Sequence, residues 1–148
     1  MTQEQYKQLA TAYREETEAL LLKPNRSEED NFDMIHKGHA SCCFWTVCGT
    51  SLHIARGECL LSRVYAALKM PQSCLMHAER ALRLSKAGMC RDHDMADAYE
   101  CAARGYYLSG DGEAFATHQL LAIEYAQRIA DPDDRAKALS AIAGIDEE

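Results

Sequence analysis

The strongest constraint on the fold is a helix–turn–helix pattern that occurs twice, 41 residues apart. The stretch Ala55 to Ser85, ARGECLLSRVYAALKMPQSCLMHAERALRLS, carries two amphipathic helical patterns separated by a break at Met70-Pro71. Ala96 to Ala126, ADAYECAARGYYLSGDGEAFATHQLLAIEYA, repeats that plan. In this register Ala55 meets Ala96, Arg63 meets Arg104, Tyr65 meets Tyr106, His77 meets His118 and Ala81 meets Ala122. The identities are few, but the turn falls at the same place in both copies. A unit that recurs with its turn in register predicts stacked helix pairs.

The punctuation of the chain extends this plan in both directions. Thr2 with Gln5 is a capping box for a first helix to about Leu22, and Lys23-Pro24-Asn25 ends it. Its inward face reads Tyr6, Leu9, Ala10, Tyr13, Thr17, Leu20 and Leu21. Ser27, followed by Glu28, Glu29 and Asp30, caps a second helix to about Cys48. Its inward face is expected at Phe32, Ile35, His36, His39, Cys42, Cys43 and Trp45. Gly49-Thr50-Ser51 closes that helix and opens the next, which runs to about Leu68. Pro71 opens the fourth, to about Lys86.

A loop from Met89 to His93 is expected to stretch the repeat to 41 residues, where a minimal unit of this kind needs about 34. Asp92 or Asp94 caps the fifth helix, Gly110 ends it and Asp111 caps the sixth. Asp131-Pro132-Asp133-Asp134 starts a seventh, to about Ala143, and the tail Asp146-Glu147-Glu148 is expected to fray. The prediction is therefore all-α: about seven helices in antiparallel pairs, stacked as a short α-solenoid. The 148 residues form one domain, with pairs at about 2–48, 52–86 and 93–130 and a capping helix at about 132–143.

Charge bounds the partners. Residues 1–33 carry four basic and eight acidic side chains, and residues 131–148 carry two and six, so each end is at −4. The stretch between them has ten basic and nine acidic groups, which offers no basic face for nucleic acid. No run reaches the length of a membrane span. The N-terminal MTQEQYKQ lacks the charged-then-apolar pattern of a secretion signal, so a cytoplasmic location is expected. Seven cysteines with no C-x-x-C pair read as reduced thiols on apolar helix faces.

The paired helices resemble the tetratricopeptide repeat (TPR). Leu61, Ser62, Tyr65, Cys74, Ala78 and Ala81 take its large, small, aromatic and alanine places. Ala102, Ala103, Tyr106, Gly110, Phe115 and Ala122 do so in the second unit. The usual Trp that opens a unit and the Pro that closes it are missing. HASCCFW (39–45), ARGECLLSRVY (55–65), DMADAYECAAR (94–104) and GDGEA (110–114) further resemble an uncharacterised family of small bacterial TPR-like proteins, over about residues 28–140. The chain departs from that family at Cys59 and Asp97, where its members carry an aromatic. The resemblance implies a TPR-like fold and a cytoplasmic setting, and it brings no established activity.

In TPR-like arrays the first helix of each pair lines the concave surface. Carried over, that surface holds Arg56, Cys59, Arg63 and Ala66 from one unit and Asp97, Glu100, Arg104 and Tyr107 from the next. Arg63 and Arg104 fall at equivalent places and could grip one carboxylate or phosphate. They could equally pair with Glu100, Asp97 or Glu58 in an internal network. His36 and His39 share a helix face, and with Glu58 and Glu100 they make a candidate metal set, though the Glu-x-x-His unit of bundle metal sites is absent. No phosphate loop, nucleophile elbow or zinc-protease motif is present, so no catalytic residue and no cofactor is assigned.

The leading expectation is a helical-repeat interaction module that binds a peptide or partner protein through a mixed-charge concave face. A homodimer is the self-association the pattern allows. The alternative is a small-molecule- or metal-binding protein, an enzyme among the options, using the His/Glu cluster between helices 2, 3 and 5. A cysteine redox sensor is a third reading, with Cys90 or Cys59 as the thiol of depressed pKa.

Overall fold

The computed structural model describes residues 1–88 and 90–147. The described chain is all-α: α1 (Gln3–Leu22), α2 (Glu28–Cys48), α3 (Ser51–Ala67), α4 (Pro71–Ala87), α5 (Asp92–Ser109), α6 (Gly112–Ala126) and α7 (Pro132–Ala143), followed by a 3-10 turn at Ile145–Glu147. The caps are local chemistry, and most stand where the residue types put them. The Thr2 hydroxyl accepts from the Gln5 N–H at 3.1 Å while the Gln5 side chain accepts from the Thr2 N–H at 2.8 Å. Ser27 and Asp30 do the same for α2. Asp111 caps α6 and Asp131 caps α7. Gly110, at φ 82°, closes α5 in the left-handed region where a side chain would be strained.

The start of α5 differs from expectation. Arg91 stands at its N-cap without a side-chain bond, and Asp92 and Asp94 lie in the first turn. Asp94 is drawn instead to Arg56, across the interface with α3. The expected loop over Met89 to His93 includes Met89, which lies outside the described residues, and α5 already begins at Asp92. The 41-residue period comes from helix length: α3 and α4 have 17 residues each, α5 has 18 and α6 has 15. The starts of α3 and α5, and of α4 and α6, are both 41 residues apart (92 − 51 and 112 − 71). Asp146 and Glu147, part of the tail expected to fray, lie in a 3-10 turn whose first residue, Ile145, is buried against α5 and α7; Glu148 lies outside the described residues.

The seven helices pack in adjacent pairs and sort into two layers. Among the described residues α1, α3, α5 and α7 each touch the next in that series, while no two of α2, α4 and α6 touch. Each of α2, α4 and α6 wedges between consecutive odd helices. Contact within one layer and separation within the other makes the odd layer the inner side of a curved stack. The central helices α3 and α5 are enclosed: residues 57–62 and 98–103 are all buried, so no solvent face runs along those turns.

Four of the five residues shared by the two units are packing devices. Ala55, Ala96, Ala81 and Ala122 are all buried at helix contacts where a larger side chain would hold the helices apart. Tyr65 and His77 stack at 5.5 Å between α3 and α4, and Tyr106 and His118 meet at 4.7 Å between α5 and α6. The shared Tyr and His are thus partners within each unit.

The inward face of α2 is corrected in part. Cys42 and Trp45 are buried as expected, but so are Met34, Gly38 and Ser41, whereas Phe32, His36 and Cys43 face outward and His39 is exposed at the edge beside Tyr65 of α3. The helical period was legible and its phase was not. Gly38 and Ser41 carry no apolar signal, yet a Cβ on Gly38 would come within 3.2 Å of Leu61, and the Ser41 hydroxyl donates to the Ala10 carbonyl at 2.7 Å.

Candidate functional site

The inner layer carries a line of charge built from helix spacing. Arg56 and Arg63 lie two turns apart on α3; Asp97, Glu100 and Arg104 lie at intervals of three and four on α5. Arg56 forks onto Asp94, with Nε donating to Oδ1 at 2.8 Å and Nη2 to Oδ2 at 3.4 Å. Arg104 donates to Glu100 at 2.8 Å. Arg63 lies 3.6 Å from Asp97 and 3.7 Å from Glu100, distances of an ion pair without a hydrogen bond. His93 adds a longer contact to Asp97, at 3.8 Å. Burial raises the Asp97 pKa, with Arg63 and then His93 opposing the shift.

This charged line borders three depressions, and Arg63 lines every one of them. The largest, 450 Å³, lies between α1, α3 and α5 and is bounded by Leu21, Leu22, Ala66 and Ala67 with Glu18, Lys69, Arg63 and Arg104. A second, of 320 Å³, lies between α3, α5 and α7 and holds Asp97, Glu100, Asp134, Lys137 and His93. A narrow cleft of 20 Å³ holds Arg14, Arg56, Cys59 and Asp94. The arginine–acid network is present, and separate depressions lie beside it. Glu100 braces Arg63 and Arg104 from the α7 side, and both arginines border the cavity on the α1 side.

Six of the seven expected groove residues, Arg56, Cys59, Arg63, Asp97, Glu100 and Arg104, border these depressions. Tyr107 does not: its ring packs 5.2 Å from Phe115 of α6. The contributions of α1, Lys69 and α7 were not anticipated. Leu22, 85 % exposed at the end of α1, borders the first depression, and no sequence signal marked it, since single exposed apolar residues are ordinary.

The candidate metal residues are not gathered around one point. Glu58 accepts from His77 Nδ1 at 2.6 Å and lies 3.6 Å from Arg80. Glu100 belongs to the arginine network, and His36 stacks on Phe32. His39 shares a 2.8 Å hydrogen bond with the Tyr65 hydroxyl, and burial, then the neighbouring His77, lowers its pKa. Among the described residues no group of three or more His, Cys, Asp or Glu side chains is placed to hold a metal ion. The arrangement is a polar seam across α2, α3 and α4 that satisfies a buried carboxylate.

The Cys59 thiol is the opposite of a depressed one. Its hydrogen-bonded neighbour Cys101, together with burial, pushes its pKa well above the ordinary value. Burial likewise raises Cys42 to about 12 and Cys74 to about 11. All seven thiols are free. Among the described residues no helix is long and apolar enough to cross a membrane. Compared with protein-family models, curated proteins and solved structures, the chain finds no match in any of the three.

Proposed function

We propose that the chain is a TPR-like interaction module, a cytoplasmic helical-repeat protein that binds a peptide segment of a partner across its inner layer. The observation that carries this reading is the pair of open depressions on either side of Arg63, which together cross α1, α3, α5 and α7. Helix axes in contact lie about 9 Å apart, so four helices span roughly 27 Å, which an extended segment crosses in about eight residues. Alternating charges along the path would set the register of such a segment, and Leu21, Leu22 and Ala67 would take an aliphatic side chain.

The test is selection of an eight-residue display library on the protein and on a Leu22→Asp/Lys137→Glu variant, both changes at exposed positions that leave the core intact. Enriched sequences that bind the wild type and lose the variant are the expected result. Absence of enrichment, or equal binding to the variant, removes the reading.

A further inference from the structure

The cavity between α1, α3 and α5 has a chemistry of its own, and this inference stands apart from the peptide reading. Its volume of 450 Å³ is that of a small-ligand site. Its apolar lining, Leu21, Leu22, Ala66 and Ala67, is aliphatic, and its polar lining sets Arg63, Arg104 and Lys69 against one carboxylate, Glu18. Glu18 is already held by Arg14 at 2.9 Å. The acids that balance the arginines, Asp97 and Glu100, border the other depression, on the α7 side.

Arg63 is the anomaly. Its side chain is 27 % exposed and borders all three depressions, yet its five N–H donors make no hydrogen bond among the described residues. The repeat explains why. Arg104 has Glu100 one turn before it and bonds it at 2.8 Å, whereas the same place in the earlier unit is Cys59 (100 − 41). Arg63 therefore depends on two carboxylates of α5 that stand beyond hydrogen-bond length. Lys69, at the mouth, has no ion-pair partner among the described residues. No buried side-chain polar atom among the described residues lacks a partner, so the N–H groups of Arg63 that the protein does not bond are open to solvent. A guanidinium with open donors, a cation beside it and aliphatic side chains around them complement one kind of molecule.

The geometry points to a binding site for an amphiphilic anion, an aliphatic chain ending in a carboxylate. The chain lies on Leu21, Leu22, Ala66 and Ala67, and the carboxylate accepts from the Arg63 N–H groups that the protein leaves to solvent, with Lys69 closing the charge.

Decanoate and decylammonium, below their micellar concentrations, are titrated calorimetrically into the full chain. Arg63→Gln would also disturb Asp97 and Glu100, so the test uses two peripheral variants: Lys69→Glu, which reverses the mouth charge, and Ala67→Phe, which enlarges the apolar lining. Saturable one-to-one binding of decanoate, none of decylammonium, and a loss of about tenfold or more in each variant is the expected result. No saturable binding to the wild type, equal binding of decylammonium, or unchanged affinity in both variants overturns the proposal. Decanoate binding without enriched peptides would leave this site standing and remove only the peptide reading; the converse would remove this site alone.

Discussion

Replacing Glu100 by Gln measures how firmly the concave charges are tied to the fold. The Glu100 side chain is 8 % exposed, and it accepts from Arg104, itself 15 % exposed, at 2.8 Å while lying 3.7 Å from Arg63. Removing one member of a buried ion pair costs about 3–5 kcal/mol, because the remaining charges stay desolvated. Here Arg63 keeps Asp97 at 3.6 Å, and both arginines reach the water of the cavity, which screens them. The expected loss is therefore smaller, about 2–3 kcal/mol. For a domain of this size that lowers Tm by roughly 4–12 °C.

Urea titration followed by Trp45 fluorescence reads the loss directly. Trp45 is the single tryptophan, is 7 % exposed, and stacks on His53 at 4.4 Å. Helix content by circular dichroism should give a coincident transition. Glu124→Gln, at an exposed position of α6, is the control and should fall within about 0.5 kcal/mol of wild type. A loss below about 1 kcal/mol for Glu100→Gln would refute the reasoning, since it would mean that the arginines are hydrated with or without their carboxylate. The same substitution should tighten decanoate binding, because it removes the negative charge that neutralises Arg63 and Arg104, which line the site.

Two glycines should respond in opposite directions. A Cβ at Gly105 would stand 2.7 and 2.8 Å from two Leu75 carbons, so Gly105→Ala should destabilise by about 1–2 kcal/mol after its helix-propensity gain is counted. Gly112, in the first turn of α6, has nothing within 4 Å, and Gly112→Ala should stabilise by about 0.5–1 kcal/mol; thermal melts of both check the pair. Native-state labelling with a thiol reagent at pH 8 should modify exposed Cys43 first, while Cys42 and Cys74, at about 12 and about 11, react only when urea opens the fold. Asp30 is held down to about 2 by the Lys23 side chain first and then by the Ser27 backbone N–H. Its folded pKa lies below its unfolded one, so the stability it contributes is complete above about 4 and is lost as pH falls towards 2. Lys23→Ala should shift the Asp30 carboxyl titration upward by NMR.

Helix boundaries were legible where a single residue and its near neighbours decide them. A hydroxyl or carboxylate three residues before an orphan N–H caps the helix whatever the rest of the fold does, as Thr2, Ser27, Asp111 and Asp131 show. The start of α5 was misread because Asp94 had a distant competitor, Arg56, for its carboxylate. The phase of α2 was misread for a related reason. Its buried face is defined by what must be small, Gly38 and Ser41, and that requirement exists only once α1 and α3 have closed around it. Half of the candidate site followed from the repeat register, because α3 and α5 are copies and their equivalent residues point the same way. Leu22, Lys69 and Lys137 border it through tertiary packing alone, which no local pattern records.

The two units also differ at an informative place. A duplicated helix pair that had kept every contact would give Arg63 a carboxylate at residue 59, as Arg104 has at residue 100. Cys59 stands there, buried and apolar, and its raised pKa keeps it a neutral thiol. A departure that only relaxed the repeat should have freed the arginine from its burden, and a neutral residue at position 63 would have packed at lower cost. The arginine remains, braced at a distance by Asp97 and Glu100 and bordering the 450 Å³ cavity. Local rules give way most often where a site needs a charge, and position 63 keeps one with donors open to solvent.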